Sequence, residues 1–288
     1  MSAASTNRET KNTFRLLAPG VVWMILFLVA PIMMIVYVSF WTQTTFSINS
    51  TLTLDSGRNF FASEAYVGAL WTTIRLWLIV LTLTFVIGYP AALYVGLLVK
   101  SKTVSTVLLV LCVIPFWTSF LIRVLAWRPM LGKEGAINII LQKFGLIDTP
   151  IEVLLFSELS VIIGMTQIYV VFMVGPIAFM LGRIDRNIIE AARDLGAGFG
   201  RIFWKIIFPL SLPGVVVGAI FVSVMVLGEF ATSGALSGRK VNLLGNIIVT
   251  QVGSLKWAMA SVVGVILTIL LGIVVAGFLR IVDLKREI

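Results

Sequence analysis

Residues 190–214 read "EAARDLGAGFGRIFWKIIFPLSLPG". The stretch opens as a charged, water-facing helix, passes through Gly196, Gly198 and Gly200, and closes as apolar as any membrane span. Two of the most hydrophobic segments of the chain flank it, so its polar half interrupts a sequence that otherwise avoids water.

The composition makes that interruption significant. Hydrophobic residues fill 59% of 288 positions and charged residues 12%, with a mean hydropathy of +1.06. A soluble domain carries about 25% charged residues, so the chain reads as an integral membrane protein. The net charge of +9 comes from Lys and Arg lying between apolar runs. That distribution encodes topology and not a nucleic-acid footprint. Cys112 is the single cysteine and sits inside an apolar run, which excludes a disulfide framework and a cysteine metal site. Histidine is absent, removing the commonest metal ligand and general base. No metal-binding or catalytic residue is expected.

Crossing a bilayer takes about 20 mainly apolar residues. Six segments qualify: 16–40, 68–99, 104–127, 157–182, 207–230 and 258–282. The second is over-long, which suits a tilted span or one that begins on the membrane surface. Pro31, Pro90, Pro115 and Pro176 fall inside spans, where neighbouring helices re-satisfy the freed carbonyls. Gly214 and Gly218 form a GxxxG, a helix-packing face. An even number of spans puts both termini on one side. That side collects thirteen basic residues against six acidic ones, including Arg8, Lys11, Arg15, Lys100, Lys285 and Arg286, so it is expected to be cytoplasmic. Residues 1–15 are polar and end in no cleavage site, and read as a retained cytoplasmic tail. Residues 16–288 then form one all-α, six-span domain, with a cytoplasmic loop at 183–206 between the fourth and fifth spans. On the other side, "GKEGAINIILQKFG" (132–145) predicts a short amphipathic surface helix stopped by Gly145.

The 183–206 loop predicts two short helices. Asn187 is placed to cap the first, with Glu190 reaching back to the cap amide; Ile188, Ile189, Ala192 and Leu195 make its apolar side. Gly196 supplies a left-handed stop. A second turn through Phe199, Ile202 and Phe203 feeds the fifth span, with Pro209 and Pro213 at its entry. On the residues alone, Glu190 is a cap and the loop a helix lying on lipid.

The spacing says more. Glu190-Ala191-Ala192, three residues, Gly196, nine residues, then Ile206 and Pro209 match the signature loop E-A-A…G…I-x-L-P of ABC importer permeases, with Phe208 replacing the usual leucine. The chain resembles that family. The resemblance implies that the loop is a coupling helix docked on a cytoplasmic ATPase. Glu190 would contact the ATPase, Ala191 and Ala192 would permit close approach, and Gly196 would set the bend; Asp194, Ala197, Phe203 and Pro209 complete the loop. "IPFWTSFLIRVLAW" (114–127), "GLIDTP" (145–150) and "LLGNIIVTQ" (243–251) are similar to the first permease of spermidine/putrescine importers. Permeases for opines, aminophosphonates, thiamine or ferric iron share much of this architecture. The resemblance further implies a bacterial inner-membrane location, a second permease forming a heterodimer, two copies of an ABC ATPase that binds ATP and Mg, and an external solute-binding protein. Membrane lipid is expected around the spans and no nucleic acid. No G-x-x-x-x-G-K-[ST] phosphate loop occurs, so the chain is expected to hold no cofactor and not to be an enzyme. "LSGRK" (236–240) lacks the second glycine of the ABC signature peptide.

A secondary transporter would place ionisable residues deep in its spans, at ~2.5–3.5 kcal/mol each. Only Arg75 and Glu229 fall clearly within apolar runs here. A non-transporting scaffold would leave the loop unexplained. For a polyamine, carrying several ammonium groups, the pathway should offer carboxylates beside aromatic faces. Glu229, Phe230, Trp117, Trp127 and Tyr169 are the candidates, the alternative being that Glu229 simply pairs with Arg75 or Arg123.

Overall fold

Long runs without polar punctuation leave a chain in lipid only one way to satisfy its backbone, and it coils into helices. The computed structural model describes residues 17–43, 48–99 and 101–281. The tail 1–15 and the basic residues Lys100, Lys285 and Arg286 lie outside the described residues. Among the described residues, five helices are long and apolar enough to cross a membrane, or six if one sharply bent pair counts as a single span.

The chain divides into two compact units, Met1–Ser63 with Thr250–Ile266, and Glu64–Val249 with Leu267–Ile288. In the described part of the first, α1 (Leu17–Ser39) is apolar on every side and only 6% buried. Its π-helical stretch Ile25–Val29 directly precedes the turn holding Pro31. The all-α expectation misses an antiparallel pair, β1 (Trp41–Gln43) and β2 (Ile48–Leu52), which pairs Thr42 with Asn49. The bond from Thr53 N–H to the Phe40 carbonyl extends the pairing. Alternation is too brief at three and five residues to register as a pattern. The short helix α2 (Asp55–Ala62) follows.

The second unit is built on three helices: α3 (Glu64–Leu98), α8 (Glu158–Leu181) and α10 (Phe199–Leu227). The buried positions of α3 include Ala69, Thr73, Leu76, Val80, Thr84 and Gly88, a single stripe at three- and four-residue spacing. Small residues let the helices touch. A Cβ at Gly214 would lie 2.7 Å from the Pro176 carbonyl oxygen and 2.9 Å from Ile177 Cα, so only glycine fits where α10 crosses α8. Polar side chains add cross-links between α3 and α10: Tyr89 Oη and Ser211 Oγ share a hydrogen bond at 2.8 Å, and Trp77 Nε1 donates to Ser223 Oγ at 2.8 Å.

The third span departs from expectation. Residues 104–127 are not one helix: α4 (Lys102–Val113) ends in a tight turn, Ile114–Trp117, and the chain bends by 93° before α5 (Phe120–Leu125). Pro115 removes an N–H and biases the residue before it away from the helix. Thr118 turns extended, and its hydroxyl and amide both donate to the Pro115 carbonyl.

Two more short helices follow, α6 (Trp127–Leu131) and α7 (Ala136–Lys143). The second is the expected surface helix, and Gly145 ends it at φ 65°. Buried Asn138 ties this region together, donating to the carbonyls of Gly132, Lys133 and Ile151 and accepting from Ile151 N–H. Helices α9 (Arg186–Asp194), α11 (Ala231–Leu236), α12 (Leu244–Gly253) and α13 (Trp257–Ile281) complete the chain.

Candidate coupling loop and transport cavity

The loop between α8 and α10 holds α9. Its cap is Asp185, not Asn187: Asp185 is extended, and its carboxylate accepts from Asn187 N–H at 3.0 Å. Both residues have side chains suited to capping, and the backbone selects the one lying outside the helix. Glu190 therefore makes no capping box, and its side chain is exposed. At the other end Gly196 has φ 80°. Its N–H donates to the Arg193 carbonyl and that of Ala197 to the Ala192 carbonyl, the paired bonds of a Schellman stop. Ala191 and Asp194 are exposed, while Ala192 and Ala197 are half-buried.

After this stop α10 runs unbroken from Phe199 through the apolar span. A π-turn, Phe203–Ile207, lies just before Pro209. Pro209 cannot donate to the Lys205 carbonyl, and the wider turn absorbs the mismatch, with Phe208 N–H bonded to the Phe203 carbonyl. Phe203 packs edge-on against Tyr89 of α3. Leu195 is 88% exposed, and Phe199 and Trp204 are exposed on the same segment.

The second constellation surrounds a cavity of about 440 Å³ lined by Phe116, Phe120, Arg123, Tyr169, Glu229 and Phe230 among others. Glu229 follows the end of α10 and is buried. One carboxylate oxygen accepts from Thr232 N–H at 2.7 Å and the other from the Tyr169 hydroxyl. Arg123 lies across the aromatic faces, its guanidinium 4.5 Å from the centre of Phe116 and 6.0 Å from Phe120, within cation–π range. Its Nε is buried with no hydrogen-bond partner.

Three of the five sequence candidates thus meet: Glu229, Phe230 and Tyr169. Trp117 is 82% exposed and Trp127 is half-buried, and neither lines this cavity. Arg75 is not the partner of Glu229; it binds Glu158 at 2.6 Å. Among the described residues the ion pairs are Arg75–Glu158 and Lys133–Glu152, so Arg123 shares the cavity with Glu229 without a direct salt bridge.

Residues 85–288, including the loop and the cavity lining, match the family described as binding-protein-dependent transport system inner membrane component. The chain belongs to this family. It is 31% identical over 273 residues to the spermidine/putrescine transport system permease protein PotB of Haemophilus influenzae, covering 93% of this chain and 94% of that protein. It is 34% identical over 260 residues to PotB of Escherichia coli K12, covering 90% and 93%. A bacterial ABC transporter involved in import of the acidic polysaccharide alginate superposes with a TM-score of 0.74 at 18% identity, covering 96% of each chain; at that identity the likeness is one of fold. The chain is therefore a multi-pass inner-membrane permease subunit of an ABC importer.

Arg123 and its aromatic seat are the part of this permease that the sequence reading left out of the candidate pathway. The signal was a lone cation inside "FLIRVLAW", 120–127, where a charge is costly enough to need a reason.

Proposed function

We propose that this permease carries a polyamine, forming half of the translocation pathway beside a second permease. The observation that carries the proposal is the 31–34% identity to spermidine/putrescine permeases over at least 90% of the chain. The cavity chemistry supports it: a buried carboxylate beside several aromatic faces suits a chain of ammonium groups separated by methylenes. We place α9 against a groove on a cytoplasmic ATPase, of which the importer holds two copies, and the opposite face toward an external solute-binding protein. Exposed Glu190, Leu195 and Phe199 support that docking surface. ATP and Mg belong to the ATPase; this chain supplies the lever. Closure of the ATPase pair displaces α9, and the continuous helix α10 carries the displacement into the membrane as rigid-body tilting, opening the pathway to alternate sides.

Glu229→Gln tests the cargo site. Glutamine keeps one acceptor, for Thr232 N–H, and turns its NH2 toward the Tyr169 hydroxyl oxygen, which then accepts, while removing the charge. Uptake of labelled spermidine or putrescine should fall several-fold, with subunit assembly and delivery by the binding protein unchanged. Normal uptake would remove Glu229 from the pathway. Recovery in Glu229→Gln/Arg123→Gln would instead make the glutamate a structural counter-charge.

A further inference from the structure

Arg186 stands where its own helix does not favour it. It is the first residue of α9, after the Asp185 cap, and the N-terminal end of a helix carries partial positive charge that disfavours a cation. The guanidinium finds its reason elsewhere. Its Nη2 donates to the carbonyls of Leu97, 3.2 Å away, and Val99, 3.1 Å away. These carbonyls belong to the last turn of α3 and the residue just beyond it. The final carbonyls of a helix have no partner within the helix, and its C-terminal end attracts cations. A local rule is broken at one helix to satisfy two orphan acceptors at another, 89 and 87 residues away in sequence. One turn on, Ile189 is buried and lines a cleft with Leu93 and Leu97, so an apolar contact backs the polar one.

We infer that Arg186 is a positioning residue, clasping α9 to the end of α3 so that displacement of α9 reaches two spans together. The inference rests on reading α9 as the coupling helix. One route is covalent, through Ala197 and Gly198 into α10. That route includes a joint, because Gly198 is extended between the two helices. On its own the joint would let α9 swing without moving the span. The guanidinium closes the second route, into α3, which is already cross-linked to α10 by Tyr89–Ser211 and Trp77–Ser223. With both routes made, α9 cannot rotate about the joint, and its motion becomes motion of the α3–α10 block.

The test uses the whole importer in liposomes, with both permeases, the ATPase pair and the binding protein. Solute transported per ATP hydrolysed is compared among wild type, Arg186→Gln, Arg186→Lys, Glu190→Ala and Gly196→Val. Arg186→Gln should keep the subunits together and ATP hydrolysis running while transport per ATP falls several-fold. Arg186→Lys keeps the charge and a donor, and should recover part of the ratio. Spin labels at Asp194 and Ser101 should give a broader distance distribution in Arg186→Gln, reporting the freed joint. A wild-type ratio in Arg186→Gln beside impaired Glu190→Ala and Gly196→Val overturns the inference alone. Wild-type ratios in all variants overturn the coupling-helix reading beneath it. Loss of the ATPase from the purified Arg186→Gln complex would make Arg186 part of the docking surface and end its role as a clasp.

Discussion

At Gly196 a single backbone angle decides where the rest of the loop goes. Its φ of 80° is open to glycine and strained for a β-branched side chain, although nothing stands within 4 Å of where a Cβ would be. Gly196→Val therefore acts through conformation and not through a clash. Uptake and ATPase retention should both drop while the thermal midpoint of the solubilised permease stays close to wild type; unchanged uptake would mean the bend has no role in coupling. Glu190→Ala makes a complementary prediction. Asp185 does the capping, so removing the exposed Glu190 carboxylate should leave α9 folded, as circular dichroism of the purified protein would show, and weaken coupling through the lost contact alone. Gly196 was legible in the sequence because a stop signal is local. Tyr169 and Glu229 were both candidates for one pathway, but their direct hydrogen bond was not legible, since 60 residues separate them and only the packing of α8 beside α10 brings them into contact. Asp185 against Asn187 was a choice between two good caps that only the backbone could make.

Helices in lipid gain little from burying apolar side chains against each other, so close approach and buried polar bonds decide which pairs adhere. Gly214 lies at the tightest part of the α8–α10 crossing. A leucine there must displace the backbone at Pro176 and Ile177, and overpacking of this kind typically costs ~1–3 kcal/mol. Gly214→Leu should lower the melting temperature of the detergent-solubilised protein by several degrees, whereas Gly272→Ala on α13, with open space around it, should not. Equal shifts would mean that the crossing tolerates a side chain. The GxxxG spacing announced this face. The break after α4 was written less clearly. Five spans carry prolines, and Pro90, Pro176 and Pro213 sit inside continuous helices. Only Pro115 is followed closely by Thr118 and Ser119, whose side chains compete for backbone partners. The apolar count alone could not separate a kinked span from a broken one.

Across the whole chain, orientation is the property most open to direct test. In a Cys112→Ser background, a cysteine at Lys102 should react only with membrane-permeant reagents in intact cells, and one at Lys143 with impermeant ones. The reverse pattern would move α9 to the outside and remove it from any ATPase. Five spans, the two-helix loop and the surface helix were legible because hydropathy and charge are summed over many residues, whereas the third span is broken by a 93° bend. The β1–β2 pair was not, because its two strands are too short to sum. The break at Thr118 and Ser119 carries a consequence for the surroundings of the molecule. Peptide groups outside a helix cost several kcal/mol each when left bare among acyl chains, and both residues are exposed on the outside of this chain. The Thr118 N–H and the Ser119 carbonyl are paired with Pro115 and Arg123, and the exposed remainder of the turn is poorly suited to oil. Water or another polypeptide suits the turn at 118–119 better than acyl chains do, so this stretch of the unit is where contact with lipid is expected to give way.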